Sequence, residues 1–393
     1  MRKRRKPGVS RETPDNMMPP EHCLEYDIVI IGAGHAGCEA ALAAARLGCR
    51  TALVTLSENH LAHLPCNPSI GGIGKGQLVR EIDALGGEMG RLTDRAALQI
   101  KRLNGSKGPA VQALRAQVDK LWYPRLMHRA LAAEDNLDLL IGEAAKLFVR
   151  KGRLAGIGLV DGRKLTARAA ILTTGTFLRG SLTLGARTWP GGRTGESAAV
   201  RLAKTLGDIG FELSRFQTAT PPRVHRGSVD FAALRVEPGS SEPLRFSFVS
   251  PPAQPLQIPC HLTYTTAETR DVVRQHLPRS PIKSGAVTEH GPRNCPSIDR
   301  KVLNFPDKTA HPVFVEPESL ASDEMYLQGL TTAMPADAQE AIIRTVPGLE
   351  GAAITRYGYA VSYDYLPPNQ LTLTLETKLV KGLFAAGQIN GTT

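Results

Sequence analysis

The chain has 393 residues, 42% hydrophobic and only 5% aromatic, which supports two or three domains with substantial cores and argues against a broad base-stacking surface. Its 48 Lys and Arg against 37 Asp and Glu leave a net charge of +11, which suits a polyanionic partner such as nucleic acid. No apolar run approaches the roughly 18 residues of a membrane span, and no signal-peptide apolar region occurs.

Residues 1–24 begin with the basic run MRKRRK and continue polar and Pro-rich, the composition of a disordered tail. Tyr26–Gly37 reads YDIVIIGAGHAG. Asp27–Ile31 is an apolar, β-branched run of the kind that becomes a buried parallel strand. Gly32, Gly34 and Gly37 follow in GxGxxG spacing, and the Ala-rich stretch Cys38–Leu47 reads as a helix. Strand, glycine turn and helix form the dinucleotide-binding fingerprint: Gly32 permits the turn, Gly34 lets backbone approach a pyrophosphate, and Gly37 lets helix pack on strand. A second strand is expected at Thr51–Thr55. Its end normally offers an acid to a ribose hydroxyl, but here Thr55 stands there, with Glu58 three residues on. A simple NAD dehydrogenase is therefore disfavoured, and ribose contacts are expected from elsewhere.

Pro65, Pro68 and the glycines at 71, 72, 74 and 76 predict an irregular loop, followed by a helix from about Gln77 to Leu85. GGIGKG is not a P-loop, because Gly76 rather than Ser or Thr follows Lys75. It reads instead as a ligand-contact loop with one cation. Leu103–Ala110 is a second loop, and Val111–Ala132 is helical in pattern. Leu137–Ile141, Ala155–Val160 and Ala169–Leu172 read as strands, the last running into the small-residue turn Thr173–Thr176 that lies near the cofactor in flavoproteins. From about Gln217 prolines become frequent, and Leu244–Val249 and Cys260–Thr265 suggest short strands of an inserted domain. Leu383–Ala386 then reads as a last central strand ending in the turn GQING. The expected fold class is α/β, a Rossmann-like domain with a parallel central sheet and an inserted β-containing α+β domain. The expected boundaries are 25–216 and 353–393 for the first and 217–352 for the second.

Six cysteines, at 23, 38, 49, 66, 260 and 295, show no CxxC spacing, so neither a zinc knuckle nor a thioredoxin pair is expected. Free thiols point to a reducing, cytoplasmic compartment. Cys66 lies between Pro65 and Asn67 just before the Lys75 loop, and Cys295 lies between Arg293 and the Arg300-Lys301 pair. Nearby cations favour a nucleophilic thiolate, whereas Cys38 and Cys49 read as small hydrophobes. His60 and His63 read as surface loop residues, no metal set is expected, and Asp299 and Glu289 are candidate acids or bases near Cys295.

Taken together, GAGHAG, CNPSIGGIGKG, EIDALGG, NGSKGPAVQALRAQ, TGTFLRG, TPPR, GPRNCPSIDRK and LFAAGQINGTT resemble the MnmG (GidA) family of tRNA uridine 5-carboxymethylaminomethyl modification enzymes, in order, from Tyr26 to Thr393. The resemblance implies an FAD protein that uses NADH. It would act with the GTPase MnmE, as a homodimer within a heterotetramer, on the wobble uridine of tRNA. Its one-carbon unit would come from methylene-tetrahydrofolate supplied through the partner. Carried over by position, Gly32, Ala33, Gly34, His35, Ala36 and Gly37 would bind the FAD pyrophosphate, with Ala144 on the adenosine side and Gln388 at the flavin. The NAD segment would be Gly291, Pro292, Arg293, Asn294, Cys295, Pro296, Ser297, Ile298, Asp299, Arg300, Lys301, Val302, Leu303, Asn304 and Phe305. Cys66 and Cys295 fall on the family's two functional cysteines. Members continue past GQINGTT, so the chain reads as a truncated member whose last strand would expose an apolar face. The shorter folate- and FAD-dependent uridine methyltransferase TrmFO, and an inactive flavin- or tRNA-binding remnant, are the alternatives.

Overall fold

The computed structural model describes residues 23–251, 256–291, 296–308 and 310–391. The basic tail expected over 1–24 lies almost wholly outside these residues, as do Pro292–Cys295.

Strand β1 (Cys23–Ile31) is the hub of a seven-stranded sheet. It pairs in parallel with β2 (Thr51–Thr55) on one side and with Lys164–Leu172 on the other. Leu137–Ile141 extends the sheet beyond β2, again in parallel. Burial on both faces explains the unbroken apolar run. Val29 and Ile31 join one core with Leu202 and Leu206 of the helix Val200–Ile209, and Ile30 joins the other with Cys38 and Leu42 of α1 (His35–Arg46). Removing each such side chain from water stabilises the fold by roughly 1.5–3 kcal/mol.

The long strand Lys164–Leu172 forks. Its first half pairs antiparallel with Arg153–Leu159 of the hairpin that begins at Ala144, which turns at Lys151-Gly152 with both φ angles positive. Its second half pairs in parallel with Leu383–Ala385. Leu383 and Ala385, on one face of this strand, are fully buried, and Phe384 on the other face is half-buried.

Beyond this sheet, Ser214–Thr220 and Tyr359–Tyr365 pair antiparallel over seven residues and carry the chain out and back. Between them an antiparallel sheet, completed by Ile354–Arg356, packs Val224, Val313, Val315 and Leu327 against Val273, Val302 and Ile342 of three helices. This is the α+β character expected of the second region. Leu244–Val249 is not a strand there. It is irregular chain, with Phe246 fully buried and its N–H donated to Asp94 at 2.7 Å.

Two further predictions fail at one place. Val111–Ala132 is not one helix. Ala113–Val118 is a strand, and only Trp122–Ala132 is helical. The strand pairs with Ala97–Leu103 and with Ser69–Gly71, so the glycine loop also contains a short strand. The segment ALRAQV carries no decisive period of its own, and two partners on either side settle it as strand.

The tightest contact in the sheet is at the glycine turn. A Cβ on Gly37 would lie 1.8 Å from the Gly32 carbonyl oxygen and 2.8 Å from the Thr173 hydroxyl. Gly37→Ala is therefore expected to destabilise the protein by about 3 kcal/mol, the cost of forcing atoms into a packed site. A thermal melt coinciding with that of the parent would contradict this packing.

Candidate functional site

The turn after β1 is built by backbone. Gly32 adopts φ +108°, its N–H donates to Val54 at 2.8 Å, and its carbonyl accepts from the Thr173 hydroxyl at 2.8 Å. Gly34 differs from its neighbours, because a Cβ there meets nothing within 4 Å. It faces a cavity of about 840 Å³ into which α1 points its N-terminus, with no acidic residue in its first turn. The turn Thr173–Thr176 lines the same cavity, as the sequence suggested. So do Ala144 and Gln388. Gly387 (φ +77°) brings that last turn against α1, where an added Cβ would be 2.8 Å from Ala36.

The predicted cofactor residues divide. Gly32, Ala33, Gly34, His35 and Ala36 line the cavity, whereas Gly37 is buried behind them as a packing residue. Of the segment 291–305, Gly291, Pro296, Arg300 and Asn304 line it. Ser297 instead caps the helix Ile298–Asn304, whose Ile298 and Val302 face the second core. Lys301 donates to the Gly329 carbonyl at 2.8 Å, and Leu303 and Phe305 are exposed. Asp299 is fully buried and accepts from Ser280 at 2.5 Å. Glu289 is held by Arg215 and by the Ser362 hydroxyl, both at 3.2 Å. Neither carboxylate stands in the cavity lining, so the acid–base role entertained for them has no geometric support.

At the end of β2, Thr55 lines the cavity but Glu58 does not. Glu58 is exposed and paired with His128 at 2.9 Å. Glu143, one residue beyond the Gly142 N–H that bonds the Thr55 carbonyl, lines this side of the cavity. No signal near Thr55 identifies it, because 88 residues separate the two.

Cys66 lines the cavity, half-buried, with its thiol 3.8 Å from the Ala219 carbonyl oxygen. Lys75 lines it as well. Cys295 lies outside the described residues, and the cavity lining includes Gly291 and Pro296 on either side of that gap.

His60 and His63, expected as surface loop residues, are half-buried and line the cavity. Their rings meet at 5.0 Å, and His60 Nδ1 is 3.3 Å from Glu196, within the cavity wall. The ligand atoms of His60, His63 and Glu196 lie within 4.8 Å of one another, the reach of a metal set. However, Arg193 pairs with the other oxygen of Glu196 at 3.3 Å. This cation already neutralises the carboxylate and disfavours a metal ion. Burial, and then the Arg193 charge, push His63 down to about 4. Burial and Arg193 also push His35, packed on Tyr123, down to about 4. Both imidazoles are therefore neutral at physiological pH.

Residues 27–393 match the family Glucose inhibited division protein A. The chain belongs to that family. It is 50% identical over 369 residues to the tRNA uridine 5-carboxymethylaminomethyl modification enzyme MnmG of Heliobacterium modesticaldum, covering 94% of this chain and 58% of that protein. It is 48% identical over 372 residues to the MnmG of Geobacillus thermodenitrificans, covering 95% and 59%. Aquifex aeolicus GidA superposes with a TM-score of 0.90 at 44% identity, covering 94% of this chain and 63% of that one. The chain thus spans about six tenths of the length of the curated relatives it matches. Among the described residues, no helix is long and apolar enough to cross a membrane.

Two outcomes follow from the site. Because a Cβ at Gly34 meets nothing within 4 Å, Gly34→Val should melt like the parent, yet copurify without flavin. A retained flavin spectrum would refute the close approach at Gly34. The second concerns acid. An unfolded His titrates near 6.5, whereas His35 and His63 resist protonation until about 4. Unfolded chain therefore takes up protons that folded chain does not, and stability should fall as pH drops from about 6.5 toward 4. Denaturant titrations should show this loss, and His35→Gln should lessen it. Equal losses in both proteins would discount His35.

Proposed function

We propose that the chain carries the catalytic cavity of a flavin- and NADH-dependent enzyme that modifies carbon 5 of the wobble uridine in tRNA. It would act with a GTPase partner of the MnmE type and a one-carbon unit from methylene-tetrahydrofolate. The observation that supports this best is that the glycine turn and Cys66 open onto one cavity. A dinucleotide subsite alone would fit many oxidoreductases, whereas a thiol beside it fits pyrimidine chemistry.

The residues fit a flavin dinucleotide. Gly34 leaves the backbone open to a diphosphate, α1 adds its positive dipole end, and the volume is that of a cofactor site. Ala144 and Glu143 would border the adenosine half, and Gln388 the isoalloxazine. Arg300 and Asn304, on one face of their helix, would meet the nicotinamide nucleotide. When bound, FAD supplies the electron-pair transfer that reduces the one-carbon unit.

Cys66 supplies the nucleophile. Its thiolate adds to carbon 6 of the uracil ring and the ring's electron density moves to carbon 5, which becomes able to attack an electrophilic carbon. Loss of the carbon 5 proton then expels the thiolate. The neutral His35 and His63 donate or accept single hydrogen bonds here without adding charge.

The test combines the purified chain with FAD, NADH, the partner GTPase, the folate, an amine donor and unmodified tRNA, followed by nucleoside mass spectrometry. A carbon 5 aminomethyl-type adduct on the wobble uridine is expected, and its loss in Cys66→Ser with flavin retained. A methyl group on the T-loop uridine instead would overturn this reading in favour of methyl transfer. Full modification by Cys66→Ser would remove Cys66 from the chemistry.

A further inference from the structure

Beneath the Cys66 loop lies a buried ionic cluster that the fingerprint does not explain. Arg223 is 3% exposed, and all of its donor nitrogens are engaged. Nε donates to Glu318 at 3.0 Å. One terminal nitrogen donates to the carbonyls of Pro65 at 3.0 Å and Cys66 at 3.1 Å. The other donates to the Thr220 hydroxyl and to the Pro221 carbonyl at 2.7 Å. A planar fork with five N–H groups can hold three segments at once in this way, and a lysine cannot. The Cys66 loop is thereby tied to a strand end more than 150 residues away in sequence.

The cluster is also out of electrical balance. Lys120 donates to both oxygens of Glu318 at 2.8 Å. Two cations therefore share one carboxylate, and all three side chains are largely shielded from water. Burial alone would raise the Glu318 carboxyl, but Arg223 and Lys120 outweigh it and hold it below its ordinary value. The trio keeps one uncompensated positive charge, and the Arg223 charge is felt at Cys66. Of the charged residues lining the cavity, Lys75 and Arg300 are cations, Arg193 is paired with Glu196, and Glu143 is a second carboxylate.

We propose that Arg223, Lys120 and Glu318 form a positioning and charging device for Cys66: the Arg223 fork sets the loop, and the net positive charge of the trio favours the thiolate. This rests on Cys66 being the nucleophile. The electrostatic half follows from Coulomb attraction in a region of low dielectric, where the positive charge of Arg223, bonded to the Cys66 carbonyl at 3.1 Å, favours the thiolate.

The experiment measures alkylation of Cys66 in the purified chain by iodoacetamide across pH, read by peptide mass spectrometry, with thermal melts as the control for folding. Lys120→Met removes one cation and leaves the Arg223 fork in place. It should slow alkylation at neutral pH by about tenfold and move the midpoint of the profile upward. Glu318→Gln removes the carboxylate and should accelerate alkylation and move the midpoint downward. Opposite signs are the signature of charge, since a purely structural role moves both variants alike. Same-direction effects, or an unchanged Lys120→Met, overturn the electrostatic half. Arg223→Lys keeps the charge but loses the fork. It should leave the midpoint in place while lowering kcat for tRNA with KM retained, and an undiminished kcat overturns the positioning half. Alkylation needs neither flavin nor tRNA, so a negative result there is distinct from failure of Cys66→Ser to abolish modification.

Discussion

The contact between Gly37, Gly32 and Thr173 is the constraint on which the rest of the site depends. It presses the start of α1 onto the carboxyl ends of two parallel strands, with no room for a single methyl group. That approach aims the helix N-terminus into the cavity, sets Thr173–Thr176 as one wall and leaves Gly34 bare at the opening. The binding face of the turn is thus made by backbone, and its precision comes from residues that have no side chain to present.

Polar groups tie the second region to the strand Ala113–Val118 and the residues just after it. Arg115 bridges Glu316 at 2.9 Å and Gln328 at 2.7 Å, and Gln117 donates to the Pro317 carbonyl at 2.9 Å. Lys120 and Arg223 converge on Glu318. Such buried ion pairs contribute little net stability once desolvation is counted, but removing one partner costs several kcal/mol because a charge is left stranded. Their effect here is to define register: each of these side chains finds its bonding partners in one arrangement only. The strand Ala113–Val118 carries Arg115 and Gln117 toward the second region on alternate residues, as a strand can and a helix cannot. This is also why reading the segment as helix failed.

The GxGxxG turn, the flanking strands and the cavity-lining Lys75 loop were legible because they depend on local chemistry: positive φ, β-branched burial, and glycine where backbone must come close. Cys66 was legible because a thiol in a proline-flanked polar loop is a poor core residue. Glu143, the grouping of His60 and His63 with Glu196, and the Arg223 cluster were not. Each is made by residues from segments far apart in sequence, and none carries a local pattern. Asp299 shows the opposite error. Placed beside Cys295 in sequence, it is turned by its helix into the core and bonded to Ser280.

By itself, then, the sequence determined the dinucleotide turn, the α/β class, the family and the thiol beside the glycine loop, since these follow from short-range sterics and hydrophobic period. Only the tertiary structure decided that the glycine turn and Cys66 share one cavity, that Glu58 turns away while Glu143 lines it, and that a buried arginine underpins the thiol. The physical reason is that these depend on electrostatic matching and close packing between segments joined only by folding. A chain written in one dimension does not display such contacts.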